Sequence, residues 1–98
     1  MHILVSASNS LSLEDSDNFR EFSIVEEGGG QVQAALGDIA SPAEDNHYWL
    51  DANAVIELSG RKQDQAWVDA FWKMLEKVQA YGYSNMDTQQ IKAHVVSQ

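Results

Sequence analysis

The chain has 98 residues, no cysteine, and fifteen carboxylates against six Lys and Arg, for a net charge of −9. That length predicts a single domain, and the missing thiols exclude disulfides, thiolate zinc sites, iron–sulfur clusters and a cysteine nucleophile. Residues 1–60 hold eleven carboxylates and only Arg20, whereas residues 61–98 hold four carboxylates and five cations, a balance that disfavours nucleic acid and anionic membranes as partners.

Residues 2–7 are short and apolar and read as a strand. The opening Met1-His2-Ile3-Leu4-Val5 lacks the basic start and the apolar length of a signal peptide or membrane span, so a cytoplasmic location is the default expectation. Residues 8–18 are polar and turn-rich and read as a loop. Phe19 to Glu26 reads as a strand. The glycines at 28–30 then break the chain before a second alternating run, Val32, Ala34 and Leu36, so residues 19–36 read as a β-hairpin. No Lys-Ser or Lys-Thr follows the glycines, which argues against a phosphate-cradling loop.

Ser41-Pro42-Ala43-Glu44 carries the signature of a helix start and predicts one short turn. His47 to Leu50 reads as extended. Asp51 is placed to cap a short helix over about 52–59, with Leu50 and Val55 as a hydrophobic staple and Gly60 just past its end.

The firmest element is a long helix over about 65–81, capped by Asp64 and ended by Gly82, with Tyr83 folding back on Val78. Trp67, Phe71, Met74, Leu75, Val78 and Tyr81 form its apolar stripe at about 100° per residue. Val68, Ala70 and Trp72 widen it to roughly 200°, more than one sheet face covers. The short helix, or a second copy of the chain meeting Val68 and Trp72, is expected to cover its edges. Asp69 and Lys73 stand one turn apart on the other face as a weak ion pair. Residues 89–96 alternate and read as a strand, with a helix capped by Asp87 as the rival. The whole predicts an α+β fold: an antiparallel sheet of about four strands with an αα-hairpin on one face.

No motif assigns a chemistry. An EF-hand counted from Asp15 puts Phe19 and Arg20 where an oxygen ligand and a glycine are needed. His2, His47 and His94 lack the helical spacing of a preformed metal face, and no serine sits in a nucleophile elbow. No metal and no cofactor is therefore expected. His47, near Glu44, Asp45 and Asp51, has carboxylate neighbours that can raise its basicity.

The leading expectation is a non-enzymatic interaction module, such as an inhibitor or immunity-type binder. Glu14, Asp15, Asp17, Glu26 and Glu27 would meet a protein partner with a basic surface. The rivals are a small enzyme or ligand-binding domain with a pocket at His47, Tyr48 and Trp49, and a structural subunit of a larger assembly.

Overall fold

A computed structural model describes residues 1–28 and 31–97. Seven strands form one mixed sheet: β1 (His2–Val5), β2 (Leu11–Glu14), β3 (Ser23–Glu26), β4 (Ala40–Pro42), β5 (His47–Asp51), β6 (Ser84–Asn85) and β7 (Gln90–Ser97). The order is β2-β1-β3-β7-β5-β4, with β6 paired to β7 beside β3. The helices are α1 (Val32–Leu36), α2 (Ala52–Ser59) and α3 (Gln65–Gln79), with a 3₁₀ turn at Gly37–Ile39 after α1. No helix among the described residues is long and apolar enough to cross a membrane.

The α+β class holds, but the sheet is larger than expected and not antiparallel throughout. β1 pairs β3 in parallel, and β3 pairs β7 in parallel. β7 is the expected strand, and its antiparallel pairing to β5 sets Leu50 opposite Ile91 and Tyr48 opposite Ala93. Two- to four-residue strands are too short for alternation to be read, which is why β2, β4 and β6 escaped the sequence. β2 lies inside the expected loop: Leu11 and Leu13 pack on the core while Asn9, at φ 64°, turns the chain back from β1. Asn accepts that left-handed conformation better than most residues.

Two expectations fail outright. Residues 32–36 are a helix, not the second strand of a hairpin. Val32 and Leu36 stand one helical turn apart and are both buried, while Ala34 is exposed, so the period-four pair decides over the period-two reading. Gln and Ala favour that helix. Part of the glycine cluster, 29–30, lies outside the described residues. Ser41-Pro42-Ala43-Glu44 begins no helix. Ala40–Pro42 is one of the sheet's edge strands, where the missing N–H of Pro42 costs no ladder bond. The chain turns at Ala43–Asn46, where the Ala43 N–H donates to the His47 carbonyl at 2.9 Å.

The αα-hairpin forms as expected. Asp51 accepts from the Asn53 N–H and Asp64 from the Trp67 N–H, satisfying first-turn donors. Gly60 adopts φ 70° past the end of α2. α3 closes two residues early: Tyr83 N–H meets the Val78 carbonyl at 3.2 Å and Gly82 N–H the Gln79 carbonyl at 3.0 Å. This is the double bond of a Schellman end, with Gly82 at φ 84°. Tyr81, assigned to the apolar stripe, is left 76% exposed by the early ending.

One core joins Ile3, Val5, Ile24, Leu50, Ile91 and Ala93, all on a single sheet face, to Val55, Ile56, Trp67, Phe71 and Leu75. Phe71 is fully buried, stacked on Trp67 at 5.3 Å and edge-on to Trp72 at 6.0 Å. Phe71→Ala is expected to cost about 3–5 kcal/mol in urea unfolding. A loss below about 1 kcal/mol would mean that this face carries little of the stability.

Candidate functional site

The segment 15–22 joins β2 to β3 by crossing the start of β1, and three anchors hold it. The Trp67 indole N–H donates to the Ser16 carbonyl at 2.7 Å. The Phe19 ring lies 6.0 Å from the Trp67 ring. The Met1 ammonium donates to the Asn18 and Glu21 carbonyls at 2.8 and 2.9 Å. Arg61 ties the same segment to the α2–α3 junction, bonding Asp17 and, at 2.8 Å, Asp64, with its guanidinium 5.7 Å from the Trp67 ring centre. Phe19 and Arg20 are thereby set against α3.

The result is a groove. β6 and β3 follow one another along the same edge of β7, at Ser84↔Ile91 and Ser23↔His94. Where the sheet forks between them, a cleft of about 440 Å³ opens, lined by Phe19, Phe22, Met74, Val78 and Tyr83 and bordered by Lys92 and His94. It continues as a shallow depression over α3, sharing Phe19, Arg20, Met74 and Val78 and adding Ala70, Lys73, Glu76 and Lys77. Tyr83 and Val96, two of the three exposed large apolar side chains among the described residues, line the cleft.

The cations divide cleanly. Arg61 pairs with Asp17 and Asp64, Lys62 with Glu57 at 2.5 Å, and Lys92 with Glu44. Among the described residues Arg20, Lys73 and Lys77 form no ion pair, and all three rim the depression over α3. Asp69, the expected partner of Lys73, instead accepts from the Gln65 side chain at 2.8 Å. The helix dipole accounts for Lys77 in the last turn of α3. It does not account for Lys73, a turn earlier and a like charge at i−4, nor for Arg20 on another segment.

The residues read as candidates from sequence are scattered. Glu14 stands opposite His2 at one end of β1, and Glu26 stands opposite Val5 at the other, so the five carboxylates make two clusters rather than one patch. Glu14 and Asp15 are exposed, Glu26 and Glu27 half-buried, and Asp17 is engaged by Arg61. Tyr48 packs on the core, whereas His47 and Trp49 belong to the opposite sheet face, and the groove is lined by none of the three. Lys92 lies 5.2 Å from the Trp49 ring centre. Val68 and Trp72 are half-buried against the core.

Pairing also aligns residues that no sequence spacing connects. Glu14, His2, Ser23, His94 and His47 occupy successive strands of a single row across the open sheet face. Among the described residues no group of three or more His, Asp and Glu is arranged to hold a metal ion.

The hydrogen bond from Arg61, with the Trp67 N–H second, holds the Asp64 carboxyl below the ordinary aspartate range. A depressed folded pKa stabilises above the unfolded value of about 3.9 and is lost as pH falls through the folded value. Asp64→Asn is therefore expected to be less stable than the native chain at neutral pH, with the difference closing below about pH 4. Urea melts across this range test it, and a difference that persists undiminished in acid would contradict it. Comparison with protein-family models, curated proteins and solved structures finds no match for the chain.

Proposed function

We propose that this chain is a non-enzymatic protein-interaction module whose groove over α3 receives an acidic, apolar segment of a partner protein. One observation carries the reading: in a chain of net charge −9, every Lys and Arg without an ion-pair partner among the described residues rims the same apolar groove. Phe19, Met74 and Val78 offer a floor for apolar side chains, and Arg20, Lys73 and Lys77 offer counter-charges at its edge. Rim charges of this kind steer association and set register. A long polyanion such as nucleic acid would run off the groove onto repelling carboxylates, whereas a short segment fits within it. A two-fold dimer through this groove would bring the three cations against their own copies.

A second reading keeps the acidic loop as the docking surface for a basic partner. It is supported by Glu14 and Asp15, both exposed and in no ion pair among the described residues. Asp17 is a poor probe of it, because charge reversal there also breaks the Arg61 anchor.

Amide-shift titration with two amphipathic peptides, one of Glu and Leu and one of Lys and Leu, distinguishes the readings. The Glu/Leu peptide is expected to move the amides of residues 19–20 and 73–78. The double variant Lys73→Glu, Lys77→Glu should weaken binding at least tenfold, about 1.4 kcal/mol, and so should raised salt as the Debye length falls below about 8 Å. Shifts confined to residues 14–15 with the Lys/Leu peptide would transfer the function to the acidic loop. No shift with either peptide would contradict both.

A further inference from the structure

We propose that His47 and His94 form a two-imidazole site for a divalent transition-metal ion on the open face of the sheet. They are direct cross-strand partners of β5 and β7. The neighbouring pair, Asn46 and Val95, carries the ladder bond, with Val95 N–H to the Asn46 carbonyl at 2.8 Å. His47 and His94 therefore occupy a non-hydrogen-bonded position, where opposed side chains approach most closely. Their ring centroids are 6.0 Å apart with the planes inclined at 46°. A metal about 2.0–2.1 Å from one nitrogen of each ring would hold the centroids roughly 5–6.5 Å apart, so the observed spacing needs little adjustment.

The rest of the geometry favours ligation. His47 Nδ1 lies 2.6 Å from the Asp45 carbonyl oxygen. A carbonyl only accepts, so Nδ1 carries a proton, and in the neutral ring the lone pair is on Nε2, the arrangement that backbone carbonyls impose on metal-binding histidines. His94 is exposed, leaving the remaining coordination positions to water. Two neutral imidazoles and no thiolate suit Cu²⁺, Ni²⁺ and Zn²⁺ rather than Mg²⁺. His2 lies in the same row but beyond Ser23, two strands from His94, and serves as the internal control. The ion would clip β5 to β7 and stabilise the folded chain by mass action.

Calorimetric titration and thermal melts of the native chain with NiCl₂, ZnCl₂ and MgCl₂ near neutral pH test the site. One equivalent of Ni²⁺ or Zn²⁺ is expected to bind and raise the Tm, with Mg²⁺ inert. His47→Asn and His94→Asn should each weaken binding at least tenfold with unchanged circular dichroism, while His2→Asn binds as the native chain does. No heat or Tm shift with either transition metal would overturn the proposal, as would binding that survives either single variant or disappears with His2→Asn. Because His94 also borders the cleft, the titration is repeated in Lys73→Glu, Lys77→Glu. Metal binding there should be unchanged, so failure of the groove reading leaves this one standing.

Discussion

Trp67 holds the structure's least regular passage in place. β2 ends on one side of β1 and β3 begins on the other, so residues 15–22 must cross the start of β1 without a helix or a strand to support them. A segment of that kind is costly to order, at about 1–2 kcal/mol per residue for the backbone alone. Trp67 offsets part of this cost from α3 with an indole hydrogen bond to Ser16 and ring contacts with Phe19 and Phe71. Such a hydrogen bond contributes about 1 kcal/mol net, and favourable aromatic pairs about 0.5–1.5 kcal/mol each. The parallel pairing of β1 with β3 follows from this crossing. So does one wall of the groove, since Phe19 and Arg20 belong to the crossing segment.

Charge placement follows the same division between holding the fold and facing outward. Arg61 bridges the crossing segment to the start of α3, and Lys92 of β7 is held between Glu44 in the β4–β5 turn and Trp49 of β5. Exposed pairs of this sort contribute little individually, yet each fixes where a cation stands. Among the described residues Arg20, Lys73 and Lys77 have no such fixture, and two of them repel each other along one helix face. Their grouping beside apolar surface concentrates positive charge in an otherwise acidic protein.

Much of the α-helical half was legible from local signals. Asp51, Gly60, Asp64 and Gly82 mark helix ends through caps that act within a few residues, and Trp67, Phe71 and Leu75 repeat at helical spacing toward the core. The sheet was only partly legible. Val32 and Leu36 satisfy both a two-residue and a four-residue period, and burial chose the helix. Pro42 suits a helix start and a sheet edge equally, and β5 recruited it to the edge. The groove and the histidine row were beyond reach of local reading. Lys73 and Lys77 stand one helical turn apart, but Arg20 reaches them only through the segment that crosses β1, and residues 2, 47 and 94 share a row only through strand order and register, which no spacing in the chain encodes.

Amide hydrogen exchange on Trp67→Phe tests the role of Trp67 most directly, because this change keeps an aromatic ring in the core and removes the N–H that holds Ser16. The expected result is faster exchange confined to residues 16–23, with the amides of β5, β7 and α3 protected as in the native chain. Unchanged protection across residues 16–23 would contradict it, since the crossing segment would then be held without the indole and the groove wall would not depend on Trp67.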